Sequence, residues 1–397
     1  MDLFFSDVHL GCKVHSQQLP SGFVSADEDC MYACEQILEA AAKPEIDRII
    51  ICGDLSHTNR PSTLIVGLII SLIHRLNTLN KPVFLIPGNH DASTYSHAFA
   101  YLKEIKTLHN INICDVATGV SVVESDKHKT KMYLIPFVFG TDLEDKYSTV
   151  KDAFKSVVSK IGKDEKAIIV SHFQESSSSK SSESSMISKS VESFDIDEEF
   201  KNDLDNVVCV LGHMHKHQYY SKLNGMKVIY PGNIYPIDKE DCDTQKGYII
   251  LNPETFDFEF KPLKHLRNFR NFKFKQGDSI CDFLSRVRLS KNSCVFISKD
   301  IATETEKESE VEIRDILASK GSLLISLSYK RVDIKEMIEL SLNHAAITPD
   351  TLTQTFKKEF SDKFYQKYTE EEVEHIGESM RIFLSNAQEA YRSNNPI

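Results

Sequence analysis

No CxxC pair occurs anywhere in the 397 residues, and the nine cysteines are scattered: Cys12, Cys30, Cys34, Cys52, Cys114, Cys209, Cys242, Cys281 and Cys294. An odd, unclustered set argues against a disulfide framework and against a thiolate metal site, and it fits a reducing, cytoplasmic setting. Long apolar runs are missing too. The longest, Leu64 to Ile73, ends at His74-Arg75. It is far short of the roughly 20 residues that span a bilayer, so no membrane segment is expected and the run reads as a buried helix. Met1 leads straight into Leu3-Phe4-Phe5 with no signal-peptide pattern, which again suggests the cytoplasm. A basic excess is absent as well: 47 Lys and Arg face 58 Asp and Glu, a net charge of −11. Free-standing DNA binders usually carry a basic footprint. A nucleic-acid role would therefore need positive charge from elsewhere. Two divalent cations would add about four charges at one spot, and a partner protein could supply more.

What is present is an alternation. Apolar residues make up 41% of the chain, enough for a sizeable core, and the length suits two or three domains. Over the first 260 or so residues, short β-branched runs predict buried strands at Asp2–Ser6, Arg48–Ile51, Val83–Ile86, Met132–Phe137, Ala167–Ser171, Val207–Leu211, Lys227–Tyr230 and Gly247–Asn252. Helices are expected at Asp27–Ala42, Pro61–Leu79 and Ser148–Ile161. Residues 263–330 read as a separate βαβαβ unit: strand Phe269–Lys275, helix Ser279–Leu289, strand Cys294–Ser298, helix Glu308–Ser319, strand Ser322–Tyr329. Residues 331–397 read as helices with apolar stripes (Leu352, Phe356, Phe360, Phe364; then Val373, Ile376, Met380, Phe383, Ala387, Tyr391) that bury against each other or against a partner helix. A serine-rich stretch, Glu175 to Ser190, is a surface insertion or a flap beside the substrate.

Polar motifs recur at the ends of the predicted strands, where α/β sheets build their sites. In order they are Asp7-Val8-His9, Gly53-Asp54-Leu55-Ser56-His57, Gly88-Asn89-His90-Asp91, Ser171-His172 and Gly212-His213-Met214-His215. Each alone has an ordinary explanation, since Gly-Asn and Gly-Asp are common turns and a single histidine is more often a satisfied polar residue. Their co-occurrence is what matters. Together they offer two Asp, one Asn and four His as donors, with two further histidines nearby. Carboxylate, amide oxygen and imidazole suit Mn²⁺, Fe²⁺ or Zn²⁺. Seven donors exceed one tetrahedral ion and fit two ions sharing a carboxylate, an arrangement that clamps a phosphoryl group.

The ordered set DxH, GDxxH, GNHD, SH, GHxH resembles the calcineurin-like metallophosphoesterases, and its GDxxH and GHMH forms are most similar to the SbcD branch, the nuclease subunits of SbcCD-type DNA repair complexes. The resemblance implies a four-layer α/β/β/α sandwich over residues 1–262, a small capping domain over 263–330 and a helical partner-binding tail. It implies that Asp7, His9 and His215 hold one metal, that Asn89, His172 and His213 hold the other, and that Asp54 bridges them, with manganese the first choice of ion. His90 would assist the leaving 3′ oxygen, His57 would orient phosphate or His90, and Asp91 would orient His90 or simply form the turn. It further implies DNA as substrate, an SbcC-type coiled-coil ATPase as partner and a homodimer through the Asp27–Ala42 or Pro61–Leu79 helices. After the strand that follows GHMH, the branch commonly shows Gly-Ser, where this chain has Gly232-Asn233.

Between Lys261 and Lys275, Lys264, Arg267, Arg270 and Lys273 alternate with Phe269, Phe272 and Phe274. This is either an ordinary strand with a buried aromatic face or a set of DNA contacts, with phosphates on the basic groups and bases on the rings. The competing function is a phosphatase or small-molecule phosphodiesterase of the same superfamily. GNHD and GDLSHTNR differ from the GNHE and GDxxDRG of Ser/Thr protein phosphatases, which disfavours that branch.

Overall fold

The structure is a computed structural model. It describes residues 1–12, 25–93, 96–125, 127–138, 149–175, 193–196, 204–223, 225–237, 239–242 and 244–331. The serine-rich stretch after Glu175 and the tail helices expected beyond 331 lie outside the described residues. By internal contact the chain falls into two units. One comprises Met1–Lys273, Ile280–Ile297 and Ser309–Leu327; the other comprises Phe274–Ser279, Ser298–Glu308 and Ser328–Ile397.

The first unit is built on two six-stranded sheets. In the first sheet β1 (Asp2–Phe5), β2 (Arg48–Ile51), β3 (Val83–Leu85) and β4 (Ile111–Ile113) run parallel. The antiparallel β13 (Gly247–Leu251) and β14 (Phe258–Pro262) complete it, in the order β14-β13-β1-β2-β3-β4. The second sheet holds β5 (Ser121–Val123), β6 (Lys131–Leu134), β7 (Ala167–His172), β10 (Val207–Gly212), β11 (Gln218–Leu223) and β12 (Met226–Tyr230), in the order β11-β12-β10-β7-β6-β5. Two short strands, β8 (Gln174–Glu175) and β9 (Ser193–Phe194), pair with each other.

Alternation along the strands sets the layers, because successive side chains leave a strand on opposite faces. Phe4, Ile50, Phe84 and Ile249 of the first sheet meet Met132, Leu134, Ile168, Val170, Val208, Val210 and Ile229 of the second in one buried core between the sheets. Their neighbours Leu3, Phe5, Ile49, Ile51, Val83 and Leu85 face the other way. They bury against α1 (Ser25–Ala41) and α2 (Thr63–Thr78) through Cys34, Ile37, Ile69 and Ile73. On the far side, Tyr133, Ile169, Val207, Cys209 and Val228 pack with Ala153, Phe154 and Val157 of α3 (Val150–Lys160). The result is the expected α/β/β/α order. Each fully buried large side chain stabilises it by about 1.5–3 kcal/mol. Helix α2 starts two residues later than expected because Ser62 is its cap, accepting from the Ile65 N–H, so Pro61-Ser62 precede the first turn.

The βαβαβ order expected after residue 262 is present as β15 (Asn268–Phe274), α4 (Ile280–Arg286), β16 (Ser293–Ile301), α5 (Glu310–Ser319) and β17 (Leu323–Arg331). The strands form a sheet in the order β15-β16-β17.

Candidate metal centre

All five motifs lie at or just past strand ends: Asp7 and His9 after β1, Asp54 and His57 after β2, Asn89 to Asp91 after β3, His172 as the last residue of β7, and His213 and His215 after β10. The parallel strands of both sheets therefore deliver their loops to one place. Getting them close enough requires unusual backbone. Asp7, His9, Asp54 and His213 all have positive φ, at 52°, 49°, 52° and 93°. Non-glycine residues there cost about 1–3 kcal/mol each and persist where the surroundings hold them, typically at functional sites. The motif glycines have the complementary role. A Cβ on Gly53 would sit 2.3 Å from His172 Nδ1, one on Gly88 2.2 Å from Asp54 Oδ1, and one on Gly212 2.0 Å from the Cys52 carbonyl.

The donors converge in two groups. His9 Nε2 and His215 Nε2 face each other at 3.2 Å, and Asp7 joins them in a cluster whose ligand atoms lie within 4.8 Å of one another. In the other group, His172 Nε2 at 3.0 Å and His213 Nδ1 at 3.1 Å both approach the single Oδ1 of Asn89. Asp54 lies between the groups. Its Oδ2 is 3.3 Å from His172 Nε2 and 3.7 Å from His9 Nε2, one nitrogen from each side. Asp7 also shares a cluster with Asp54 and His172, and His9 one with His57 and His90, each with ligand atoms within 4.8 Å of one another.

The remaining polar atoms point away from the centre and are occupied. Asp54 Oδ1 accepts the His90 N–H at 2.9 Å, Asp7 accepts the His213 N–H at 3.1 Å, and His172 Nδ1 donates to the Cys52 carbonyl at 2.8 Å. What is left facing inward is Asp54 Oδ2, fully buried and accepting no hydrogen bond among the described residues, with imidazole nitrogens turned toward it. A buried carboxylate oxygen that accepts no hydrogen bond and has histidine nitrogens of both groups within 4 Å suits a divalent cation in place of the His172 proton.

Protonation tells the same story. Burial works to raise the Asp54 pKa, but His172, His90 and His9 outweigh it and hold the carboxyl well below its usual range. Burial works to lower His172, yet Asp54 and Asp7 push it up to about 9. Burial, then the neighbouring His90, holds His9 well below the ordinary histidine value. A cation entering this site would displace the His172 proton, which couples metal affinity to pH.

His57 and His90 stand half-buried at the open side, their rings stacked 5.0 Å apart. His90 Nδ1 lies 3.0 Å from the His57 carbonyl, so Nε2 is the ring nitrogen that can serve a substrate. Asp91 makes no contact of this kind with His90. Its buried carboxylate accepts the backbone N–H groups of Leu55, Ser56 and Gly88 at 3.1, 2.7 and 3.0 Å, joining the loop after β2 to the turn after β3.

The basic stretch divides. Lys264, Arg270 and Lys273 are exposed. Arg267, expected among the DNA contacts, is instead largely buried in an ion pair with Asp29 of α1, with a further bond to Ser25 Oγ at 2.9 Å. Its guanidinium is committed to holding β15 against α1. Phe269 and Phe274 are buried and serve the core, whereas the half-buried Phe272 packs edge-on against the exposed Phe283. Sequence reading passed over Asp241, whose Oδ2 lies 3.3 Å from His215 Nδ1. It comes from the loop between β12 and β13, outside every motif, and no spacing marks it.

The calcineurin-like phosphoesterase family model matches residues 3–217, the span that carries all five motifs. The chain belongs to this family. Over 391 residues it is 23% identical to the SbcD subunit of the SbcCD nuclease of Staphylococcus epidermidis, covering 94% of this chain and 96% of that one. The SbcD-type resemblance read from the motifs is borne out by that match. Among solved structures, the protein TT1561 of Thermus thermophilus aligns with a TM-score of 0.40 and 12% identity over 66% of this chain and 98% of that one. A dimetal phosphatase from Danio rerio aligns at 0.37 and 8%, over 62% and 90%. Membership of the calcineurin-like phosphoesterase family makes the protein a hydrolase of phosphoester bonds, and that family works with divalent metals. Among the described residues no helix is long and apolar enough to cross a membrane.

Proposed function

We propose that this phosphoesterase is a two-metal DNA nuclease, an exonuclease or endonuclease subunit acting in recombination, repair or replication with an SbcC-type coiled-coil ATPase. The observation that carries the reading is the end-to-end likeness to a nuclease subunit, which reaches beyond the phosphoesterase domain. Asp7, His9 and His215 would hold one cation, Asn89, His172 and His213 the other, and Asp54 both. Manganese is the first choice and Fe²⁺ or Zn²⁺ also suit the donors. When bound, the cations supply Lewis acidity and a water activated at neutral pH. The chain itself does the rest. His90 holds Nδ1 on the His57 carbonyl and presents Nε2 to protonate the departing 3′ oxygen. Asp91 fixes the distance between the loops bearing Asp54 and His90.

A net charge of −11 leaves phosphate binding to the cations, to Lys264, Arg270 and Lys273, and to the partner. A second copy of the chain would cover the outward face of α2, where Leu64 and Ile70 are 43% and 38% exposed on either side of Gly67. The test is incubation with Mn²⁺ and labelled linear DNA, beside p-nitrophenyl phosphate and a cyclic dinucleotide, with Asp54→Ala as control. DNA cleavage lost in the control is expected. Hydrolysis of the small substrates alone would move the protein to the phosphatases or small-molecule phosphodiesterases.

A further inference from the structure

We infer that Asp241 is a positioning residue for the metal centre: its carboxylate fixes the ring and tautomer of His215, and Lys246 is the counter-charge that lets that carboxylate lie buried there.

Asp241 is 2% exposed and Lys246 1%, in a loop and at the edge of a strand that no motif reaches. Among the described residues, the Asp241 carboxylate accepts two amide hydrogen bonds and makes two ion-pair contacts. His215 Nδ1 lies 3.3 Å from Oδ2, Asn233 Nδ2 at 2.9 Å and the Ile237 N–H at 3.2 Å from the same oxygen, and Lys246 Nζ at 3.0 Å from Oδ1. Lys246 Nζ also reaches the His215 carbonyl at 3.2 Å, and the Asn233 N–H reaches that carbonyl at 3.1 Å. Ring and backbone of His215 are therefore held by the same small network. The Asn233 that replaces the branch's usual Ser is part of it.

A buried ion pair is poor value as a source of stability alone, because desolvating both charges cancels most of their attraction. Its placement suggests the other purpose. A neutral imidazole carries its proton on either nitrogen, and only the Nδ1–H form leaves the Nε2 lone pair free for a metal. His215 Nε2 is the atom that faces His9 Nε2 across the centre. A carboxylate on Nδ1 selects that form and stops the ring from turning, the usual service of an outer carboxylate to a metal-binding histidine.

The inference rests on the metal-centre reading, and one experiment separates the two. Mn²⁺ is titrated calorimetrically into the metal-free full-length chain, wild type and Asp241→Asn, with thermal unfolding recorded in parallel. Wild type binds two ions. In Asp241→Asn one site weakens about 10–100-fold and the other is unchanged. A purely structural Asp241 would lower the unfolding temperature and leave both affinities alone, which overturns the inference. Wild type binding no Mn²⁺ would instead sink the centre itself. Should Asp241→Asn fail to fold with Lys246 unpaired, Asp241→Asn/Lys246→Met removes both charges and is held to the same criterion. Histidine side-chain NMR of the metal-free wild type, with His215→Gln for assignment, reads the tautomer directly. A proton on Nδ1 is expected, and one on Nε2 refutes the proposal whatever the variants do.

Discussion

Replacing Asp91 by asparagine isolates the joint between the two loops that carry Asp54 and His90. In the native structure Oδ2 accepts from Leu55 and Gly88, and Oδ1 accepts from Ser56. Asparagine keeps the shape and can place its one oxygen where Oδ2 stood. Its amide then meets the Ser56 N–H, donor against donor. One charge-assisted bond worth about 1.5–3 kcal/mol is lost, and a buried N–H is left unsatisfied at about 1–3 kcal/mol. Part of this is returned. Burial and the nearby Asp54 charge push the Asp91 carboxyl up to about 7 against the pull of the three amides, so a neutral side chain is easier to bury. A net destabilisation of about 2–4 kcal/mol is expected. Urea unfolding of the metal-free chain, followed by fluorescence and circular dichroism, measures it. Because the joint spaces Asp54 from His90, turnover should fall as well, even where the variant is fully folded. A variant within about 0.5 kcal/mol of wild type, the ordinary scatter of surface substitutions, with unchanged turnover would refute the argument that Asp91 ties the loops together.

His90→Gln should lower kcat by about 10²–10⁴ while Mn²⁺ binding by calorimetry stays at two ions; loss of an ion would make His90 a ligand instead. Arg267→Met should destabilise by about 3–5 kcal/mol, since Asp29 is left as an unpaired buried charge, and the double variant with Asp29→Asn should recover most of that; weaker DNA binding by the folded double variant would restore Arg267 as a DNA contact. Asp115 supplies an acid-sensitive element. Burial works to raise its pKa, but His97 at 2.9 Å, Lys103 and the Thr118 N–H hold it below the usual range. A depressed carboxyl stabilises fully above its unfolded value of about 3.9 and loses that contribution as pH falls through its folded value. Asp115→Asn should therefore be less stable than wild type near neutrality, with the gap closing in acid; a gap independent of pH would show that the charge is not what matters.

The strands legible in the sequence form a clear class. All eight that apolar runs predict are the interior strands of the two large sheets: β13, β1, β2 and β3 in one, β12, β10, β7 and β6 in the other. The four they miss, β14, β4, β11 and β5, are the four edges. An interior strand of an α/β/β/α sandwich is covered on both faces and flanked on both sides, so its residues are apolar in continuous runs. β1, β2, β7 and β10 are buried at every position. An edge strand buries less, and β4 and β5 each alternate half-buried and exposed residues too weakly to stand out over three positions. What a local pattern can carry is burial on both faces; what pairs at the rim is decided by the neighbour.

The same division runs through the site. Residues delivered by a strand end were legible because the motif and the strand that carries it are contiguous, and Gly53, Gly88 and Gly212, beside Asp54, Asn89 and His213, have a local steric reason that the structure supplies. Residues that act across the chain were not. Arg267 finds Asp29 238 positions away, and Asp241 finds His215 through a loop with no motif of its own. A basic run shows that charge is present and is silent on what neutralises it. With Arg267 withdrawn into the core, the basic stretch offers DNA fewer charges than its composition promised, on a chain that is already strongly acidic. On the proposed nuclease reading, affinity for a polyanion would depend the more on cations bound at the centre and on a partner's surface, so DNA binding by the isolated, metal-free chain should be weak and, with few phosphate contacts, only shallowly salt-dependent.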